Sequence, residues 1–175
     1  MKKLILPLFF SLLFTGFALN SYAMDDDPVV TATATAELVE VLSATEENQL
    51  NFGRFIAGES GGSIAIANTS AGTVNVTGTV ATIGGGAPSS ASFSVTGRPN
   101  TEVTVTLPAD GAVNLTHTAS SDLMNIATFS VSDSSPALSA TGVATVYVGG
   151  TLTVPNTEIA KGIYTGTYTV TFAYQ

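Results

Sequence analysis

The sequence predicts an all-β protein that folds as a single antiparallel β-sandwich. Apolar side chains recur at every second position in many short segments, which is the periodicity of a strand with one buried face. These segments follow one another at short intervals, and turns rich in Gly, Pro, Asn and Asp separate them. No segment after residue 23 shows helical periodicity. Regularly spaced strands without helices indicate a sandwich or a barrel.

The first 23 residues predict a secretory signal peptide. Lys2 and Lys3 precede an apolar run, and Ser21-Tyr22-Ala23 places small residues where a signal peptidase reads them. Polar residues interrupt the apolar run and acids follow it, which argues against a membrane anchor. We therefore expect export, with no membrane span after cleavage.

Size and charge narrow the class of protein further. An acidic lead-in at residues 24–28 precedes one predicted domain at residues 29–175. The formal net charge is −8, and loss of Lys2 and Lys3 would leave −10. Phosphate contacts need clustered Lys or Arg, so we expect no nucleic-acid partner. The chain has no cysteine, so its stability must come from packing and backbone pairing.

Period-two patterns predict the strands in chain order. The alternation in Ala91–Thr96 and Glu102–Leu107, across a short turn, predicts that these two segments form a hairpin. The nine segments predicted before the C-terminal strand are Leu50–Ile56, Ser63–Ala67, Thr73–Ile83, Ala91–Thr96, Glu102–Leu107, Val113–Thr118, Asn125–Val131, Val143–Val148 and Thr151–Val154.

The segment Val29–Leu38 alternates in the same way. Thr and Glu occupy one phase, and the apolar phase comprises Val30, Ala32, Ala34, Ala36 and Leu38. This segment is either the first strand of its own sandwich or a strand that is donated to another molecule.

The last fourteen residues, Gly162 to Gln175, predict a half-buried strand. Threonines occupy its outer phase, and its inner phase is aromatic and apolar, with Tyr164, Tyr168, Val170, Phe172 and Tyr174. This segment resembles the C-terminal signature of pilin subunits of the chaperone–usher pathway, which has a glycine fourteen residues from the end, a penultimate tyrosine and alternating apolar residues between them. Gly162 and Tyr174 match that glycine and that tyrosine.

Most of the remaining chain also resembles a known family. Leu50-Asn51-Phe52-Gly53, Ser92–Gly97, Thr104–Pro108 and Tyr147–Leu152 are similar to segments of a secreted bacterial family that is known only as a domain of unknown function. That family is similar to spore-coat-U-like and chaperone–usher pilin domains, so the resemblance implies an immunoglobulin-like sandwich. Many pilins carry one disulfide, and this chain departs from that pattern.

The residues that catalysis or metal binding would need are sparse. His117 is the only histidine, and no serine lies in a G-x-S-x-G elbow. Zinc sites prefer clusters of His and Cys, and Asp25–Asp27 lack the glycine and the distant glutamate of a calcium loop. We therefore expect no enzyme activity, no metal and no cofactor. A self-complete sandwich that binds a carbohydrate or a peptide remains the alternative function.

The resemblance to pilins implies a fibre subunit that supports adhesion or biofilm formation, with a periplasmic chaperone and an usher as partners. Such a subunit lacks one strand and receives it first from the chaperone and then from the next subunit. The implied acceptor edge comprises Gly162, Tyr168, Val170, Phe172, Tyr174 and Gln175. The implied donor comprises Val30, Ala32, Ala34, Ala36 and Leu38, and a chain without an added lectin-like module favours a shaft subunit.

Overall fold

A computed structural model of the protein describes residues 30–38, 40–156 and 158–175. The predicted signal peptide and the acidic lead-in, residues 1–28, lie outside the described residues. The chain divides into two units, of which the first ends at Glu37 and the second comprises Leu38–Gln175. In the first unit, the described residues 30–37 are exposed and form no strand, so the alternation there does not produce a strand in this structure.

The second unit is built from antiparallel strands, which confirms the all-β, sandwich-like prediction. Within the described residues no helix is long and apolar enough to cross a membrane. The strands are β1 (Ser43–Asn48), β2 (Phe55–Ile56), β3 (Gly62–Ile66), β4 (Val74–Gly78), β5 (Ala81–Thr82), β6 (Ala91–Thr96), β7 (Val103–Thr106), β8 (Val113–His117), β9 (Leu123–Val131), β10 (Val143–Val154), β11 (Tyr164–Thr165) and β12 (Thr171–Tyr174).

The larger sheet is organised around β10. Its strand order is β1-β6-β10-β9-β8-β11, and β3 pairs with β10 and with β4. The first half of β10, Val143–Val148, pairs with β6, and the second half, Gly150–Val154, pairs with β3. The sequence analysis predicted two separate strands here, Val143–Val148 and Thr151–Val154. That division is wrong, because both belong to β10. A Cβ on Gly149 would lie 2.2 Å from the carbonyl oxygen of Ile66, so glycine here permits close approach of a neighbouring strand.

The second layer is small. Strand β12 pairs with β7, and the opposite edge of β7 is bonded to the segment after β9: the N–H of Val105 donates to Ser134 O (2.9 Å) and the N–H of Val103 donates to Pro136 O (3.0 Å). The predicted hairpin between Ala91–Thr96 and Glu102–Leu107 is wrong, because β6 and β7 belong to different sheets. Val95 and Val103 are both fully buried in one cluster, so the two strands face each other across the interior.

Two further strand predictions need correction, and one strand was missed. Strand β1 was not predicted, because its residues SATEEN are polar and exposed on both faces. Only Phe55–Ile56 of the predicted strand Leu50–Ile56 is a strand, and it pairs with β5. The predicted strand Thr73–Ile83 is interrupted after Gly78, whose φ is +70°. A positive φ suits glycine and takes the chain out of strand geometry.

The buried side chains form two clusters. The first lies under β3, β9 and the second half of β10 and contains Phe52, Ile64, Ile66, Val80, Met124, Ile126, Leu152 and Val154. The second lies between β6, β7 and the first half of β10 and contains Val95, Val103, Val105, Leu138 and Val146. Strand β9 touches both, since Phe129 packs against the first cluster and Val131 against the second.

Candidate functional site

The C-terminal segment alternates in burial as its sequence alternates in polarity. Tyr164, Tyr168, Val170, Phe172 and Tyr174 are half-buried, whereas the threonines between them are exposed. This segment is shared between two sheets, because β11 pairs with β8 while β12 pairs with β7. Residues 166–170 between them form no backbone–backbone hydrogen bond with any described residue. These five residues belong to no strand, so the prediction of one continuous strand from Gly162 to Gln175 is wrong. Their N–H and C=O groups have no backbone partner among the described residues, and we call them the open edge.

Strand β1 lies at one edge of the larger sheet. It pairs with β6 along one edge, and its other edge has no strand partner among the described residues. Two contacts place the segment just before β1 near the end of the C-terminal segment: the Tyr174 hydroxyl donates to Glu40 O at 3.2 Å, and Leu42 packs with Phe172 and Tyr174 against the second core cluster. We call the space between Ser43–Phe52 and Gly162–Tyr174 the groove.

Aromatic rings form the floor of the groove. The ring centroids of Phe93 and Phe172 lie 5.7 Å apart, and those of Phe129 and Tyr168 lie 5.2 Å apart. All four side chains are half-buried. Because Phe129 packs against the first core cluster and Phe172 against the second, this aromatic seam lies where the two clusters approach each other. Because these rings are only half-buried, the seam is partly exposed to solvent.

Tyr168 carries an unsatisfied polar atom at this seam. Its hydroxyl is buried and makes no hydrogen bond to any described residue. Burial, and secondarily the negative charge of Glu46, raises the pKa of Tyr168 well above its ordinary value, so the hydroxyl keeps its proton. A buried hydroxyl without a partner is costly.

One end of the groove opens into an apolar cleft of about 1020 Å³. Its walls come from the segment after β1, from the core of the larger sheet and from the start of the C-terminal segment. The apolar lining comprises Leu50, Phe52, Phe55, Ile56, Ala57, Ile83, Leu115, Met124, Ile126, Leu152, Ile159, Ala160, Ile163, Tyr164 and Tyr168. We call this end of the groove the cleft.

Two cations line the cleft. Arg54 and Lys161 are both exposed, and neither has a carboxylate within 4.0 Å in residues 30–38, 40–156 and 158–175. The chain has 5 Lys and Arg residues against 13 Asp and Glu residues, so two neighbouring cations without acidic partners are unusual here. The cleft is therefore an apolar site with a positive rim.

The glycine of the C-terminal signature packs against the only histidine. A Cβ on Gly162 would lie 2.3 Å from His117 Nε2, so only glycine fits without moving that ring. The imidazole is held by Lys161 O, 3.3 Å from Nε2, and by the N–H of Ala119, 3.2 Å from Nδ1. It contacts the ring of Tyr164 edge-on at 5.0 Å. The interaction is structural and fixes where the C-terminal segment begins.

The penultimate tyrosine fixes the other end of the segment. The Tyr174 hydroxyl accepts a hydrogen bond from the N–H of Arg98 (2.8 Å) and donates to Glu40 O (3.2 Å). A Cβ on Gly97 would lie 2.3 Å from this hydroxyl, which explains the glycine in the turn after β6. Gln175 follows, with its N–H donating to Glu102 O at 3.2 Å and its side-chain amide donating to Ser135 Oγ at 3.0 Å.

Of the predicted acceptor residues, Gly162 and Tyr168 line the cleft, whereas Val170, Phe172 and Tyr174 pack against the second core cluster. Sequence reasoning missed the opposite wall, because β1 has no apolar pattern, and it missed the floor residues Phe93 and Phe129, whose alternation is that of any core strand. The predicted donor residues Val30 and Leu38 are 82% and 100% exposed. Within the described residues no group of three or more His, Cys, Asp and Glu side chains could hold a metal ion.

The fold and the groove define an all-β, sandwich-like protein with an open strand edge within the described part of the chain. The chain belongs to the family described as a domain of unknown function, DUF4402, whose model matches residues 42–174. The exposed segment 30–38 precedes the matched residues. No curated protein and no solved structure matches the chain.

Proposed function

We propose that this protein is a structural subunit of a bacterial surface fibre and is assembled by donor-strand complementation. The observation that carries the proposal is the open edge at residues 166–170, which borders a groove floored by half-buried aromatic rings. An unpaired edge beside apolar surface is an aggregation hazard that proteins normally cover. A strand from another molecule would pair with this edge and cover the seam.

The donated strand would come first from a periplasmic chaperone and later from the next subunit, and an usher would export the growing fibre. The exposed segment 30–38 supports the second step, because apolar residues occupy alternate positions in its sequence and Val30 and Leu38 are 82% and 100% exposed.

Deletion of residues 29–38 tests the proposal. The truncated chain keeps the groove and should still bind the chaperone, but it should not polymerise, whereas the full chain should form polymers that resist mild denaturant. Size-exclusion chromatography and electron microscopy of the two proteins measure this difference. The matched control is Thr33→Ser, which preserves the polar phase and should polymerise normally.

Two results would contradict the proposal. A truncated chain that fails to fold with or without chaperone would make 29–38 an integral strand of its own domain. A full-length chain that stays a stable monomer without any chaperone would favour the self-complete module that binds a carbohydrate or a peptide.

A further inference from the structure

We propose that the cleft is a binding site for a free alkyl carboxylate, with the apolar tail against the first core cluster and the carboxylate at the rim that Arg54 and Lys161 form. Such a ligand combines the two properties of the cleft, an apolar interior and a cationic mouth. This inference uses only residues of the second unit and does not depend on the proposed function in fibre assembly.

The interior of the cleft reaches the core of the second unit. Phe52, Met124, Ile126 and Leu152 line it, and all four belong to the first core cluster and are at most 7% exposed. An apolar tail in the cleft would therefore contact core side chains. The volume of about 1020 Å³ lies at the upper end of the range of small-molecule sites, so a long alkyl chain has room there.

The mouth of the cleft presents apolar surface to solvent. Ile56, Ile83 and Ile163 line the cleft and are 52%, 41% and 68% exposed. Exposed apolar side chains that gather in one place indicate a site that another apolar group covers. A bound alkyl chain would cover them, and each of its own methylene groups that becomes fully buried would tighten binding by about fourfold.

The polar groups of the lining suit an alkyl chain better than a sugar or a peptide. Asn51 Oδ1 accepts a hydrogen bond from the N–H of Gly53 (2.8 Å), so this side chain is already engaged. The Tyr164 hydroxyl donates to Ala160 O (2.6 Å). A sugar or a peptide carries several hydrogen-bonding groups that would need partners in the cleft, whereas an alkyl tail needs none.

The charges around the cleft select an anionic head. No described residue that lines the cleft is acidic, although acids outnumber cations in the chain by 13 to 5. The backbone of each cation is held in place. The N–H of Ile83 donates to Arg54 O (3.0 Å), and the Asp122 carboxylate accepts from the N–H of Ala160 (3.0 Å), the residue before Lys161. The rim therefore fixes positive charge on a chain whose net charge of −8 otherwise repels anions.

Isothermal titration calorimetry of the purified protein with dodecanoate, below the concentration at which dodecanoate forms micelles, tests the proposal. One molecule should bind per chain. Octanoate has four fewer methylene groups and should bind at least about tenfold more weakly. Dodecyltrimethylammonium has the same tail and a positive head, and it should bind at least about fourfold more weakly because it makes neither ion pair. Trileucine, a peptide carboxylate, should also bind more weakly, because its amide groups would lose water without gaining partners.

The methyl group of Met124 reports where the ligand binds, because Met124 lines the cleft. In protein labelled with ¹³C at the methionine methyl groups, dodecanoate should shift the Met124 signal in the NMR spectrum. Met124→Leu, a substitution that nearly conserves volume, assigns that signal. An unshifted Met124 signal in protein that binds dodecanoate would overturn the proposal, since the ligand would then lie elsewhere.

Four substitutions test the rim and the mouth, each with a matched control. Arg54→Gln and Lys161→Gln should each weaken dodecanoate binding by about twofold to fivefold, and the double variant by about fourfold to twentyfold. Arg98→Gln removes the same charge from a residue that does not line the cleft, so affinity should stay within about twofold. Ile163→Asp should weaken binding more than Val76→Asp, because both residues are exposed but only Ile163 lines the cleft.

Three further results would overturn the proposal. The first is no saturable binding of dodecanoate. The second is equal affinity for dodecanoate and dodecyltrimethylammonium, or unchanged affinity in the Arg54→Gln, Lys161→Gln double variant, since the rim would then not select an anion. The third is tighter binding of trileucine than of dodecanoate, which would make the cleft a peptide site. None of these results bears on fibre assembly, which the polymerisation of the chain tests separately.

Discussion

Gly162→Ala tests how the beginning of the C-terminal segment is held. The new Cβ would lie 2.3 Å from His117 Nε2, at a backbone φ of +156°. The imidazole would have to move, at the expense of its hydrogen bonds to Lys161 and Ala119 and its edge contact with Tyr164. Overpacking costs about 1–3 kcal/mol, so we expect a loss of about 2 kcal/mol, or about 4–8 °C in Tm for a chain of this length.

Denaturant titration and thermal unfolding of four chains measure this effect: the native chain, Gly162→Ala, His117→Ala and the double variant. Removing the imidazole opens space for the methyl group. Gly162→Ala should therefore lower the free energy of unfolding less in the His117→Ala background than in the native chain, with a coupling free energy of about 1 kcal/mol or more. Gly84→Ala is the matched control, because a Cβ there meets nothing within 4 Å.

An identical cost of Gly162→Ala with and without the imidazole would refute this reasoning. So would a loss of stability in Gly84→Ala as large as that in Gly162→Ala, since the effect would then reflect glycine replacement in general and not the contact with His117.

Three other outcomes are expected. Phe172→Asp should lower the free energy of unfolding by about 3 kcal/mol or more, because Phe172 packs against the second cluster. Thr171→Asp should lower it far less, because Thr171 is exposed. Equal effects of the two substitutions in denaturant titrations would contradict the assigned strand phase. Tyr174→Phe removes two hydrogen bonds and should lower the free energy of unfolding by about 1–2 kcal/mol. The Tyr147 hydroxyl forms no hydrogen bond with a described residue, so Tyr147→Phe should change the free energy of unfolding by no more than about 0.5 kcal/mol. Far-ultraviolet circular dichroism should show strand without helix, and EDTA should leave Tm unchanged; a lower Tm in chelator would reveal a structural metal.

Alternation along the C-terminal segment was enough to predict which side chains turn inward. Thr171 and Thr169 are exposed and Phe172 and Val170 are half-buried, as a period of two requires. Alternation could not predict which strands pair with the segment, because it shows only which side chains share a face of the strand and carries no information about the neighbouring strand. The same limit explains the wrong hairpin: the inward residues of β6 and β7 do meet, but across the interior instead of along a shared ladder.

The groove itself was harder to predict from the sequence. One wall is β1, whose six exposed polar residues carry no apolar signal, and its pairing with β6 depends on backbone hydrogen bonds that any sequence can make. The sequence also failed to predict that β10 continues through Gly149, because glycine usually marks a turn. Here the glycine permits the close approach of Ile66 O. The positive rim arises because the fold brings together Arg54 and Lys161, which are far apart in the chain.

Amide hydrogen exchange at residues 167–170 tests the central claim most directly. These amides have no backbone acceptor among the described residues, so they should exchange rapidly in the isolated chain. In the assembled polymer a donated strand should pair with this edge and slow their exchange by orders of magnitude, while amides within the ladder between β9 and β10 remain protected in both forms. Protection at residues 167–170 in the isolated chain, or rapid exchange there in the polymer, would contradict the account.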